Sequence, residues 1–346
     1  MKGFISFVLR SRPENVLAVL ASLALLAFFS FTRLFHTFSF GLHDFIFILL
    51  PVAILGVKYL LGMIASSGDE SEEELDPTKY LVRFFRPLVR IFRDWFPFFL
   101  LSTCYYALYS NLILRASPHT ADATLSKIDA SIFGNQPSIL LQGWINPWLT
   151  DFLNLVYFSH VIFLPGVGLY FYLRKELKTF RCIMMGYLTL ILMGVTSYLF
   201  VPAVGPGTTF ADLYTRDLQG QALSKGVDYI IAVGRVSYDC FPSLHVGIPL
   251  LLTMYMYKYC RRLFIPAVIY VACMCFATIY LRYHYFVDVV AAFVYAPVAY
   301  YLNNMLLEHW PGERESVASS ENNAQGPGLK PASEMAIKLD PNQTEN

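Results

Sequence analysis

Apolar runs long enough to cross a bilayer recur along this chain and decide what it can fold into. They fall at about residues 15–31, 44–65, 96–114, 152–173, 182–201, 244–259, 264–281 and 286–306. A hydrocarbon core of about 30 Å needs roughly 20 apolar residues of helix, and in lipid a helix satisfies its own backbone. The expectation is an all-α polytopic membrane protein with about eight transmembrane helices. Composition agrees, with 56% hydrophobic residues, 15% charged residues and a mean hydropathy of +0.48. A typical soluble domain is nearer one quarter charged.

The connections divide the chain into three parts. Residues 1–95 hold two spans, an acidic loop at 66–76, and the stretch Lys79–Arg93, in which basic and apolar groups alternate at helical spacing. That stretch is either an interfacial helix in the headgroup region or a solvated charged face. Residues 96–306 form the expected catalytic membrane domain, a helical bundle. Within it, residues 138–148 are too short to span and read as re-entrant or interfacial, with Trp144 and Trp148 suited to the interface. Residues 307–346 are polar, rich in Ser, Asn, Gly and Pro, and read as a disordered cytoplasmic tail, in which the sequon at Asn342 is incidental.

Orientation follows from the basic residues in the connections. With the N-terminus inside, the inner segments carry fifteen Lys and Arg and the outer ones seven. Both termini are then cytoplasmic. The short loops favour a bacterial inner membrane, with the connections before residue 245 and at residue 284 on the periplasmic side. A net charge of +1 gives no electrostatic case for nucleic acid. The six cysteines form neither a disulfide framework nor a zinc motif and read as small apolar core groups.

Ionisable groups at the edges of apolar spans are costly and mark function. The outer face collects Arg235, Ser243, His245, Arg282, His284 and Asp288. His284 and Asp288 are four apart, which on a helix puts both on one face, with the carboxylate holding one imidazole N–H and the other nitrogen free to attack. His245, beside Pro242 and Ser243, suits a proton donor on a turn. Two histidines, paired arginines and one carboxylate fit a phosphate ester, since guanidinium forks match phosphate oxygens. A zinc site built from His245, His284 and Asp288 is the competing arrangement, opposed by the arginines. The reading assigns no metal and no cofactor.

Phe241-Pro-Ser243-Leu-His245 and Arg282-Tyr-His284-Tyr-Phe-Val-Asp288 resemble two signature motifs of the phosphatidic acid phosphatase type 2 superfamily. The Pro-Ser-Leu-His and His-Tyr-Phe-Val-Asp forms are similar to the branch containing inositol phosphorylceramide synthase. Asp129, Phe133-Gly134 and Pro137 extend the likeness upstream. The resemblance implies a phosphohistidine mechanism: His284 as nucleophile, Asp288 orienting it, His245 as the acid for the leaving group, and Ser243 on the phosphate, while the outer-face arginines Arg282 and Arg235 are expected on the phosphate by their chemistry. The superfamily's third motif commonly places arginine six residues before the nucleophile, where Thr278 stands, so Arg282 is its expected replacement. Lys79…Arg86-Pro87 matches the first motif literally but falls on the cytoplasmic side by charge count. The Pro202–Thr208 turn lies on the outer side and is expected to shape the phosphate pocket with backbone N–H groups.

The resulting expectation is an integral membrane lipid phosphotransferase. It would move a phospho-headgroup, such as phosphoinositol, from a phospholipid donor to a lipid alcohol such as ceramide or diacylglycerol. Hydrolysis of phosphomonoesters with water as acceptor is the alternative within the same chemistry. A non-catalytic lipid-binding or transport protein is the alternative of another class.

Overall fold

The computed structural model describes residues 11–32, 89–97, 119–220 and 238–310, with isolated positions between 53 and 86. Seven helices organise these residues: α1 Pro13–Thr32, α2 Asp122–Phe133, α3 Pro147–Leu173, α4 Leu177–Phe200, α5 Leu244–Tyr259, α6 Phe264–Tyr280 and α7 Phe286–His309. No strand occurs among the described residues, and one isolated bridge pairs Ala203 with Asp239. Most of the expected spans at 44–65 and 96–114, together with Lys79, Arg235 and the tail beyond residue 310, lie outside the described residues.

The all-helical class holds. Three helical stretches are long and apolar enough to cross a membrane (Leu177–Phe200, Arg261–Tyr280 and Phe286–His309), and α3 makes a fourth if its two halves count as one bent span. The count of eight is not reached among the described residues. One reason is α5, whose 16 residues rise only about 24 Å. The halves of α3 meet at 49°, around residue 161. Pro165 lies four residues beyond that point, where its ring crowds the carbonyl and its missing N–H breaks the ladder.

Each span is apolar on nearly its whole surface, so packing is set by small residues rather than by one stripe. A Cβ at Gly186 would strike the Tyr255 ring, and one at Gly194 would strike Leu244. These two glycines let α4 lie close against α5. Leu188, Leu190, Leu251, Leu252, Tyr255, Ala296 and Ala299 fill the centre of the bundle. Outward, Leu155, Ile162, Phe200, Ile269, Phe293 and Val294 stay exposed. Exposed apolar side chains along spanning helices are what lipid contact requires.

The bundle has two polar ends. At one, α3 begins: the Asn146 side chain caps it by accepting from Leu149 N–H (3.0 Å), and the Asn146 N–H reaches the Tyr280 hydroxyl at the end of α6. Residues 138–144 form short helical turns here, with Trp144 and Trp148 64% and 72% exposed, as an interfacial segment requires. At the other end Asp94 binds Arg12 (2.7 Å) and the Tyr172 hydroxyl (3.1 Å), Glu14 pairs with Arg181, and Trp310 donates to the Ser11 carbonyl. These contacts dock α1 on α4 and place the segment leading to Asp94 at the far end from α6's C-terminus.

Candidate active site

The first polar end is assembled from three loops: 201–209 after α4, 238–243 before α5, and 281–285 between α6 and α7. Arg282 adopts a left-handed backbone (φ 65°), and the N–H groups of Tyr283 and His284 both return to the Thr278 carbonyl, at 3.0 and 3.1 Å. This closes α6 and turns the chain into α7. Gly207 N–H donates to the Arg282 carbonyl, and Ser243 N–H to the Asp288 carbonyl. Gly205, at φ 89°, approaches the Tyr283 carbonyl where any Cβ would clash.

His284 therefore lies in the turn before α7, not on the helix, which corrects the helical-face reading of its spacing from Asp288. Asp288 is the third residue of α7, and its Oδ2 accepts from Tyr285 N–H at 2.7 Å in a capping contact. The same oxygen accepts from the Cys240 thiol (3.0 Å) and lies 3.5 Å from His284 Nδ1. The shorter contact to His284 Nδ1 comes from the Cys240 carbonyl, at 2.9 Å. A carbonyl can only accept, so Nδ1 carries the proton and Nε2 keeps its lone pair. The carboxylate is a neighbour that favours positive charge on the ring, while the carbonyl fixes the tautomer. Asp288 Oδ1 is buried without a hydrogen-bond partner among the described residues.

His245 stands in the first turn of α5. Its Nδ1 meets His284 Nε2 at 3.2 Å, and its Nε2 meets the Tyr157 hydroxyl at 2.9 Å. The two expected histidines are thus brought together, with Asp288 behind one and Tyr157 behind the other. The ring of Tyr157, from α3, stacks on His245 (4.6 Å) and on Tyr283 (4.4 Å), and His160 packs 4.9 Å from His245. His284 is only 3% exposed.

Ser243 caps α5 with its backbone, and its fully buried hydroxyl has no partner among the described residues. Arg282 leans away toward the loop that carries Tyr214 and Arg216. Its guanidinium lies 3.7 Å over the Tyr214 ring and donates to the Arg216 carbonyl, with Nε buried and unpartnered. Burial lowers its pKa.

The Pro202–Thr208 turn does not present its amides as expected. Val204 and Gly205 N–H donate to Asp122, at 3.0 and 2.9 Å, and Gly207 N–H is taken by Arg282. A buried carboxylate has claimed donors that a bare turn would have offered to an anion. Asp122 also accepts from the Tyr285 and Thr209 hydroxyls (2.9 and 3.1 Å). One helical face further along α2, Asp129 accepts from Phe286 and Val287 N–H at 2.7 and 3.0 Å, capping α7 from outside. Burial raises the Asp129 pKa against the pull of those two bonds. Tyr157, Cys240 and Asp122 carry no sequence signal, because each acts through contacts between segments 44 to 163 residues apart.

Cys240, His284 and Asp288 are the group among the described residues whose ligand atoms lie close enough for a metal, within 4.8 Å. Asp288 Oδ1 is open, but the other two residues are engaged. Nδ1 of His284 is held by a carbonyl, while burial and the adjacent Asp288 push the thiol's pKa well up, which keeps it protonated. Dication binding would have to displace that carbonyl and strip the thiol of its proton.

A histidine pair over an acidic residue, at the loop ends of spanning helices, has a family counterpart. A family model described as the PAP2 superfamily matches residues 123–302, more than half of the chain. The chain belongs to the PAP2 superfamily. The match begins inside α2 and ends inside α7, so both motifs and the Asp129 region fall within it, as does α3 with Tyr157. PAP2 superfamily members are phosphatases or phosphotransferases acting on phosphate esters, and with its apolar helices this chain is an integral membrane protein of that kind. The searches of curated proteins and of solved structures found no match.

Proposed function

We propose that this PAP2 protein transfers a phospho-headgroup between lipids through a phosphohistidine at His284, on the outer side of the membrane. The observation that carries the reading is the fixed proton order at the histidine pair. Nδ1 of His284 is committed to the Cys240 carbonyl, so the lone pair on Nε2 faces Nδ1 of His245. In-line displacement at phosphorus puts the attacking and leaving atoms on opposite sides. A phosphoryl group entering between the two rings would meet a nucleophile on one side and a proton on the other. The rings stand 3.2 Å apart, so they must separate to admit it.

Attack makes the imidazole cationic, and Asp288, 3.5 Å behind Nδ1, stabilises that charge as it develops. His245 delivers its Nδ1 proton to the departing oxygen and later takes one from the acceptor. The unpaired Ser243 hydroxyl and Arg282 Nε are donors available to phosphate oxygens. Burial supports an alcohol acceptor over water: His284 is almost without solvent surface, and its partner His245 is stacked against the Tyr157 ring. The donor of the synthase branch, a phosphoinositol lipid, with ceramide or diacylglycerol as acceptor, is the first pair to test.

The test is incubation of purified protein with labelled phosphatidylinositol, with and without ceramide or diacylglycerol. The reading expects a labelled lipid product that requires the acceptor. Release of the labelled headgroup phosphate into water at equal rates in both arms would replace transfer by hydrolysis.

A further inference from the structure

The hydroxyl of Tyr157 lies outside both motifs, on a spanning helix, yet it closes the chain of hydrogen bonds through the site. We infer that Tyr157 is a positioning residue that keeps Nδ1 the working nitrogen of His245 in both half-reactions. The inference rests on the proposed histidine mechanism.

The Cys240 carbonyl forces the proton of His284 onto Nδ1, which leaves Nε2 an acceptor. His245 Nδ1, 3.2 Å from that acceptor, must then be a donor. Neutral His245 with its proton on Nδ1 has a lone pair on Nε2, where the Tyr157 hydroxyl at 2.9 Å donates. Free histidine favours the other tautomer, with the proton on Nε2. Something must hold the ring against that preference, and Tyr157 is placed to do so. The stack of Tyr157 between His245 and Tyr283 fixes the plane in which the hydroxyl meets the ring.

A hydroxyl also suits the charged state, because it accepts as readily as it donates. Before the first half-reaction the neutral ring takes a proton from solvent on Nε2; in the imidazolium so formed, Nε2–H donates to the tyrosine oxygen and Nδ1–H stays aimed at the substrate. In the first half-reaction the His284 Nε2–P bond forms as the P–O bond breaks, and the Nδ1 proton goes to the departing oxygen. His245 is then neutral, with Nε2–H on the tyrosine and a lone pair on Nδ1. In the second, the acceptor hydroxyl gives its proton to that lone pair as its oxygen bonds phosphorus and the N–P bond breaks. Throughout, the tyrosine gains and loses no net proton; it only turns its hydroxyl.

The experiment is nitrogen-15 NMR of the full chain labelled at histidine, above the ordinary histidine pKa range. In the unaltered protein, His245 and His284 should both carry their protons on Nδ1. In Tyr157→Phe, which keeps the stack, the His245 proton should move to Nε2 while His284 stays unchanged. Transfer of phosphoinositol from phosphatidylinositol to ceramide, in which the leaving group is a strongly basic alkoxide, should fall about 10- to 100-fold in kcat with KM unchanged, whereas the same transfer from p-nitrophenyl inositol phosphate should lose less than about threefold. A His245 proton on Nε2 in the unaltered protein overturns the inference whatever the variant does, as does an unmoved proton or an equal loss on both donors in Tyr157→Phe. If neither donor is turned over by the unaltered protein, or if His284 lacks its proton on Nδ1, it is the histidine mechanism itself that fails.

Discussion

The two polar ends of the bundle satisfy buried carboxylates in opposite ways. At the far end they meet cations: Asp94 with Arg12 and Arg93, Glu14 with Arg181. At the active end Asp122, Asp129 and Asp288 are met by backbone N–H groups, hydroxyls and a thiol, and none pairs with Arg or Lys among the described residues. Charge at the far end is neutralised internally and serves docking. At the active end no Arg or Lys among the described residues neutralises the carboxylates, and an ionised Asp288 behind His284 would favour the cationic ring that the proposed reaction requires. Ser243, Arg282 Nε and Asp288 Oδ1 add unspent hydrogen-bonding capacity there.

Substitutions at the two ends should then separate activity from stability. The largest effect on rate belongs to Asp288→Asn, which keeps an acceptor for Tyr285 N–H but removes the charge behind His284. We expect kcat to drop by about 10²–10⁴-fold with the fold retained, measured as turnover at matched expression beside a thermal melt. Loss of less than tenfold would mean that the Cys240 carbonyl alone suffices.

Glu14→Gln is the counterpart at the far end. It leaves the Arg181 guanidinium, only 20% exposed, without its partner. Stability should fall by about 1–3 kcal/mol, seen as a lower melting temperature, with kcat of the folded protein unchanged. A matching loss of kcat would erase the division between the ends.

Asp129→Asn should show an intermediate and pH-dependent effect. Burial raises the pKa of this carboxyl in the native state. Between the ordinary carboxylate value and that raised one, the native state holds more protons than the unfolded chain, so stability falls as pH rises through this window. The variant should lose that slope, and should cost about 1 kcal/mol in the cap on α7. Melting curves from pH 3 to 7 would show it, and an unchanged slope would remove Asp129 as its source.

The smallest effect belongs to Arg86→Gln. Arg86 precedes Asp94 in the segment that reaches the far end, so turnover should stay within about twofold. A dead protein would reinstate Lys79…Arg86-Pro87 as a phosphate motif and reverse the sidedness.

The long apolar helices and the meeting of the two histidines were readable because both are written locally: apolar runs of 16 residues or more, and two short motifs at span edges. The geometry at His284 was not. A spacing of four suggested one helical face, but the left-handed Arg282 and the cap at Tyr285 put the histidine in a turn, and a carbonyl took the contact assigned to Asp288. Tyr157 and Cys240 could not be found by motif, since one sits mid-span among other aromatics and the other acts through its backbone. Asp122 falls in neither motif. Its partners, the amides of Val204 and Gly205, were read as open to phosphate for lack of any sequence sign that a carboxylate 82 residues upstream had already taken them.

The central claim is a covalent bond between His284 and phosphorus. The direct measurement is rapid acid-free quenching of the protein with phosphorus-32-labelled donor lipid, followed by mass spectrometric mapping of the acid-labile, base-stable adduct. The account predicts label on His284 alone, absent from His284→Ala, and accumulating when acceptor is withheld. Label on any other residue, or turnover by His284→Ala, would contradict it.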